Sequence, residues 1–223
     1  MTQNLSDTKI LGILKGLLPY GLTGYVDDFH SWVKMELKKS EVDFSDLTKE
    51  KIEELLNQLK SSGDMRPGEF DTKEFTPAEK FLTEQKDWQE DSYDVLGAFE
   101  FSPIQYVRSR LEFFLKANDV NEMDLMDISI ATIEGIENAA KYGDGGYVSI
   151  NLKLSSDKKL TISITNNIKE FDLENEIERG KYSATTTLMR GIMVMQKLFN
   201  HLDLQILDDK RQAKLYAEKQ LTS

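Results

Sequence analysis

The sequence contains no cysteine, which excludes disulfide bonds, a thiol nucleophile and a zinc site built from thiolates. Histidine is almost as scarce, since only His30 and His201 are present, and both are expected to be structural or surface residues. The lack of cysteine is typical of a protein from a reducing compartment. We therefore expect a cytoplasmic protein.

Long apolar runs are also lacking. The stretch from Ile10 to Leu22 is too short to span a bilayer, and Lys15 interrupts it. No basic leader precedes it, because the residues from Thr2 to Asp7 are polar, so we expect neither a targeting signal nor a membrane partner.

Basic residues are outnumbered, with 28 Lys and Arg against 39 Asp and Glu and a net charge of −11. Residues 1–100 carry −9 of that charge and residues 101–223 only −2, which indicates two modules. Binding to nucleic acid phosphates requires clustered Lys and Arg, so a nucleic acid partner is not expected. An acidic chain is better suited to a protein partner with a cationic surface.

The first part of the 223-residue chain is predicted to be a helical module over 1–90. Apolar residues recur at helical spacing around Leu14, Trp32 and Leu55, and Thr48 is placed to cap the third helix. A loop is expected from Ser61 to Thr72. A fourth helix is then predicted from the capping box Thr76–Glu79, with Pro77 at its first helical position.

A second domain is predicted over 93–219, where the period changes. We expect a strand over 95–101 and then a helix that opens at the capping box Ser102–Gln105 and has its inner face from Ile104 to Leu115. A second helix is expected over 124–142, and strands over 148–154 and 160–164. A polar loop or lid over 166–187, a helix from Leu188 and a terminal hairpin complete it. This order predicts an α+β sandwich in which a mixed sheet is covered on one face by helices.

The most informative motif is the run from Glu134 to Tyr142 in the second of these helices. Glu134 and Asn138 are four residues apart, so both project from one face of the helix. A carboxylate beside an amide oxygen can hold magnesium or position a reacting hydroxyl. The same pair is also compatible with an ordinary solvated face.

This run resembles the N-box of the GHKL (histidine-kinase-like) ATPase superfamily, and Phe99–Pro103 resembles the strand and turn that precede it there. The similarity is greatest to the bacterial anti-sigma-factor serine/threonine kinases of partner-switching signal transduction. It implies a Bergerat-type sandwich that binds ATP and Mg²⁺. It further implies that Glu134 is the general base toward a partner serine, that Asn138 binds Mg²⁺, and that Asn138 and Lys141 contact the nucleotide.

Two further boxes of that family match only in part. Where these kinases carry D-x-G-x-G-F-D, this chain reads Asn166 through Asp172, with an amide that still accepts a hydrogen bond but without either glycine. The G-x-G-L box is reduced to Met189-Arg190-Gly191-Ile192. The resemblance implies that Gly191 and Arg190, with Thr186 and Thr187, bind phosphates at a helix start. Threonines that cap a helix and a surface arginine would give the same residues.

The residues leave different classes of function open. Glu134 and Asn138 favour an enzyme that phosphorylates an antagonist-type partner. The altered boxes at Asn166 and Met189 favour a nucleotide-free module of the same fold that sequesters a sigma factor or an antagonist. A third hypothesis makes the N-terminal helices the effector or dimerisation element and the second domain their sensor, and it includes a homodimer as a partner.

Overall fold

The structure is a computed structural model that describes residues 5–85, 88–169, 182–207 and 211–222, with the backbone alone for 182–189. Its contacts divide the chain into two compact units, Met1–Trp88 with Glu100–Asp119, and Gln89–Phe99 with Val120–Ser223. Residues 100–119 thus group with the first unit. The predicted domains at 1–90 and 93–219 stay predictions, because a division by contacts does not show which part folds alone.

The first unit is mostly helical, as the apolar spacing predicted. Its helices are α1 Asp7–Leu17, α2 Val26–Lys39, α3 Lys49–Ser61, α4 Glu79–Glu84 and α5 Pro103–Ala117. Two short antiparallel strands, β1 Met65–Pro67 and β2 Phe75–Pro77, complete it.

Two local predictions in this unit need correction. The loop predicted over 61–72 contains β1, and Pro77 ends β2 instead of starting α4, whose N-cap is Ala78. The cap predicted for α3 is confirmed, because the Thr48 side chain accepts a hydrogen bond from the Lys51 amide at 3.3 Å.

Trp32 on α2 is the centre of the core of this unit. It is fully buried, and its ring meets Phe29 and Tyr106 edge-on, with centroids 4.8 and 5.6 Å apart. Its indole N–H donates to the carbonyl of Ser102 at 3.2 Å. The α5 helix, which carries Tyr106, is therefore tied to α2 by an aromatic contact and a hydrogen bond close to its N-terminus.

The second unit contains a five-stranded sheet in the order β3-β4-β5-β7-β6. The strands are β3 Glu90–Leu96, β4 Gly143–Leu154, β5 Lys159–Ile168, β6 His201–Leu207 and β7 Gln212–Gln220. The predicted α+β class is confirmed. The sheet is antiparallel at every pairing, where a mixed sheet was predicted, because no strand is joined to its neighbour by a parallel crossover.

Helices α6 Glu122–Tyr142 and α7 Tyr182–Leu198 cover one face of this sheet. α6 contacts β4 and β5, and α7 contacts α6 and β6. Along β5 the residues Leu160, Ile162 and Ile164 are buried, whereas the alternating Thr and Ser residues are partly exposed. This alternation is that of a sheet with one covered face. No helix in the described ranges is both long and apolar enough to cross a membrane.

Several predicted boundaries in this unit are wrong, among them the start of β4, which was expected at residue 148 and lies at Gly143. The strand expected over 95–101 is β3, which begins at Glu90 because main-chain pairing with β4 outweighs the low strand preference of its acidic residues. β5 continues to Ile168, and α7 already includes Tyr182, so the predicted lid is strand at one end and helix at the other. Residues 170–181, its middle, lie outside the described residues.

A buried carboxylate holds the residues that follow β7 against the start of α6. Asp124 accepts hydrogen bonds from the Thr222 amide and hydroxyl, both at 2.7 Å, and from Asn121 Nδ2 at 2.8 Å. The ammonium of Lys219 lies 3.8 Å from the same carboxylate and 3.1 Å from Asp127. Two segments far apart in sequence are thus joined by charge-assisted hydrogen bonds.

We expect Asp124→Asn to lower the free energy of unfolding by about 1–3 kcal/mol at pH 7, because it weakens hydrogen bonds to a buried charge. Burial raises the pKa of Asp124, but the bonds from Thr222 and Asn121 and the charge of Lys219 outweigh it, so the pKa lies below its usual value. The ionised form therefore stabilises the fold above about pH 4 and loses this effect as the pH falls further.

Urea unfolding at pH 7 and near pH 3 measures this effect. The difference between wild type and variant should shrink at the lower pH. Asp127→Asn is the matched control, because Asp127 is partly exposed and contacts Lys219 alone among these groups; it should cost less than about 1 kcal/mol. Equal losses in the two variants would contradict a special role for Asp124.

Candidate functional site

A cavity of about 100 Å³ lies in the second unit between the two helices and the sheet. Its walls come from five elements, α6, β5, α7, β6 and β7, and most of its side chains are apolar. The lining residues are Gly135, Asn138, Ala139, Tyr142, Ile164, Asn166, Ile168, Ile192, Met195, Leu204, Ile206, Ala213 and Leu215. An apolar cavity with a few convergent polar groups is typical of a binding site for a small ligand.

Two of the residues predicted from sequence, Asn138 and Asn166, line this cavity together. Asn138 is half-buried on α6, and Asn166 is buried near the end of β5. The Asn166 amide nitrogen donates to the carbonyl of Asn167 at 2.8 Å. Within the described part of the chain its Oδ1 receives no hydrogen bond, so Asn166 offers an acceptor to a ligand.

Glu134 lies one turn before Asn138, and α7 approaches both side chains through Gly191. A Cβ atom built on Gly191 would lie 2.8 Å from Glu134 Oε2 and 3.2 Å from Asn138 Nδ2. The fold thus brings together three of the predicted site residues from two helices. A side chain on residue 191 would have to displace one of these two polar groups.

The cavity also depends on Gly135, which the sequence reasoning did not select. A Cβ atom there would lie 2.9 Å from Cδ1 of Ile164, so glycine lets α6 pack closely on β5. The apolar walls from Met195, Leu204 and Leu215 were missed as well, because their strand and helix periodicity indicated only a core. Gly135 could have been found from the sequence, because it is a glycine within a helical pattern beside the polar pair Glu134 and Asn138.

Other predicted site residues are not brought into the cavity. Lys141 is exposed, with its ammonium 5.4 Å from the centroid of the Tyr142 ring, and Arg190 is exposed on α7. The side chains of Thr186 and Thr187 lie outside the described part of the structure, although their backbone is helical.

The prediction that Met189–Gly191 forms a helix start is wrong. α7 already includes Tyr182, so the amide of Gly191 lies well inside the helix, where amides bond to the carbonyl four residues earlier. Its backbone amide is therefore not free to bind a phosphate. Gly191 contributes to the site only because its lack of a side chain lets α7 approach Glu134 and Asn138.

We expect Gly191→Ala to lose about 1 kcal/mol of the stability that a Gly→Ala change gains inside a helix, because the new methyl group has to displace the flexible carboxylate of Glu134 and crowds Asn138. Gly12→Ala on α1 is the control, since nothing lies within 4 Å of its Cβ position, and it should stabilise by up to about 1 kcal/mol. In a Glu134→Ala background the cost at residue 191 should fall. Urea unfolding of the wild type and the four variants measures these differences, and an unchanged cost in that background would contradict the contact.

Comparison with known proteins adds a distant structural similarity. No family model matches the chain, and no curated protein matches it. The chain is similar to the crystal structure of the RsbU and RsbW domains of Rv1364c from Mycobacterium tuberculosis, with a TM-score of 0.45 and 15% identity. The similarity covers 84% of this chain and 48% of that one, so this chain spans about half its length. A likeness this distant leaves function to be argued from the chain's own residues.

Proposed function

We propose that the second unit binds ATP with Mg²⁺ and phosphorylates a serine or threonine of an antagonist-type protein partner, as a partner-switching regulator. This is the activity implied by the anti-sigma kinases that the sequence resembles. The observation that carries the proposal is that Asn138 and Asn166, from different elements, line one cavity. Glu134, the predicted general base, lies one helical turn from the first of them.

The cavity suits an adenine base. Ile164, Ile168 and Leu215 line the cavity and offer apolar surface to the faces of a purine ring. The Asn166 nitrogen is already used by Asn167, so its oxygen is the end that accepts a hydrogen bond from the adenine amino group. Guanine carries a carbonyl at that position and would meet this acceptor unfavourably.

The polar end of the cavity suits a nucleotide-bound magnesium ion. Mg²⁺ keeps several waters and takes only one or two protein ligands beside the phosphates, so the amide oxygen of Asn138 is sufficient. The described residues contain no cluster of three or more acidic or histidine side chains that would hold a metal alone. Bound ATP supplies the phosphoryl group that is transferred.

Glu134 is half-buried, so part of its side chain is open to a partner protein. In this position Glu134 accepts the proton of a partner hydroxyl that comes within hydrogen-bond reach. Lys141, Arg190, Thr186 and Thr187 stay predicted donors to the phosphates, and their proposed role rests on the resemblance.

A nucleotide-free module that sequesters a sigma factor or an antagonist is the second candidate. The close approach of α7 to Glu134 and Asn138 favours it, because the backbone at Gly191 already covers the polar pair. In that case the cavity is only a gap in the packing between α6 and α7, and the polar pair has no ligand.

Calorimetric titration with ATP distinguishes the two candidates. We expect ATP binding to depend on Mg²⁺. Asn138→Ala should abolish the effect of Mg²⁺ on binding, because the metal loses its protein ligand. Asn167→Ala is the matched control, since Asn167 is exposed and its carbonyl is retained. Absence of ATP binding at millimolar concentration by the folded wild type would favour the nucleotide-free module.

The nature of the base gives a separate prediction. Wild type should bind ATP at least about tenfold more tightly than GTP, because one hydrogen bond and one unfavourable contact differ between the bases. Asn166→Ala should bring the two affinities to within about threefold, whereas Asn167→Ala should leave the preference unchanged. Equal affinities in the wild type would remove Asn166 from the base site.

A further inference from the structure

Strand β6 forms one edge of the five-stranded sheet. It pairs with β7 along its whole length, and no described residue pairs with its other side. The unpaired N–H and C=O groups of an edge strand attract another strand, and natural proteins usually prevent this with charges, a bulge or a cover. β6 has only one carboxylate, Asp203, and neither Lys nor Arg.

The opposite edge of the sheet is protected in the usual way. β3 has the same length as β6 but carries Glu90, Asp91 and Asp94. Three acidic side chains in seven residues repel a second copy of the same strand. The two edges of one sheet therefore differ in their capacity to pair with themselves.

The side chains of β6 are apolar and exposed on the helix-covered side of the sheet. Leu204 is 38% exposed and Ile206 is 50% exposed, and both also line the cavity. Leu202 alternates onto the same face. Apolar surface thus continues from the cavity to the free edge, where it is left in contact with water.

We propose that β6 pairs with β6 of a second copy of this chain, antiparallel about a two-fold axis at Leu204. In this register Leu204 faces its own counterpart, and Leu202 faces Ile206 of the second copy. On the other side of the sheet, Asp203 faces Gln205 of the second copy. Apolar side chains oppose apolar ones, and no like charges oppose each other.

Two neighbouring symmetric registers are poorer. A shift by one residue would place Asp203 opposite the second copy's Leu204. The apolar side chains of the second copy would then lie on the face of the sheet away from those of the first. Centring the pair on Asp203 would place two carboxylates directly opposite each other. Within one chain, Gln205 Nε2 already donates to Asp203 Oδ2 at 2.7 Å, and the Leu204 register keeps an amide from the second copy beside the same carboxylate.

This pairing joins two five-stranded sheets into one continuous sheet. It also brings Leu204 and Ile206 of the second copy alongside the edge of the cavity, because paired residues in an antiparallel ladder share a face. The proposal does not depend on nucleotide binding, since it uses only the edge strand.

The test is the oligomeric state of the full chain by sedimentation equilibrium. Wild type should show a reversible monomer–dimer equilibrium. Leu204→Asp and Leu204→Lys should each weaken association at least about tenfold, because each places like charges opposite one another on the axis. An equimolar mixture of the two variants should restore dimers, because a carboxylate then faces an ammonium group.

Ser92→Lys on β3 is the matched control, and it should leave association unchanged because it alters the other edge. Circular dichroism checks that each variant is folded. A wild type that stays monomeric at every accessible concentration, dimers that persist in both Leu204 variants, or a mixture that fails to associate would each overturn the proposal.

A covalent test avoids charged substitutions. The chain has no cysteine, so Leu204→Cys introduces a single thiol that lies opposite its own counterpart in the proposed register. Mild oxidation should cross-link it into a dimer, whereas Ser92→Cys should stay monomeric. Equal cross-linking of the two variants, or none in Leu204→Cys, would contradict pairing at this edge.

Discussion

The close approach of α6 and α7 is the constraint on which the second unit depends. Gly191 brings the α7 backbone against the polar pair on α6, and Gly135 brings α6 down onto β5. Interiors are packed to the density of organic crystals, so an added methyl group at either point would have to displace a neighbour. The two missing side chains therefore determine both the position of the candidate site and the space left within it.

The sequence predicted the elements of the second unit better than their limits. The helix that became α6 and the hairpin of β4 and β5 follow from clear apolar periods and are confirmed. The start of α7 was missed, because Tyr182 through Thr187 is polar and its threonines are weak helix formers. Because residues 182–187 are helical, Gly191 lies inside the helix. The motif Met189–Ile192 is therefore not the phosphate-binding helix start that was predicted.

The candidate site was predictable where its chemistry is local. Glu134 and Asn138 are neighbours on one helix, so their proximity follows from the helical repeat alone. The partnership of Asn138 with Asn166 requires the packing of α6 on the sheet, and the walls from Leu204 and Leu215 require the order in which the strands lie. Such long-range relations are set by tertiary packing, which a local pattern does not encode.

The hydrogen bond between Asp124 and Thr222 affects hydrogen exchange of the backbone amides that follow β7. The final residues of a domain usually fray, and their amides exchange with deuterium within seconds to minutes. Here the Thr222 amide donates to a buried carboxylate at the start of α6, and the Leu221 amide donates to the carbonyl of Lys158. Exchange of the Thr222 amide requires its bond to the start of α6 to break, whereas exchange of the Leu221 amide requires only its bond to Lys158 to break. Deuterium uptake at Thr222, compared with uptake at Leu221, is therefore a probe of the contact with the helix that carries the candidate site.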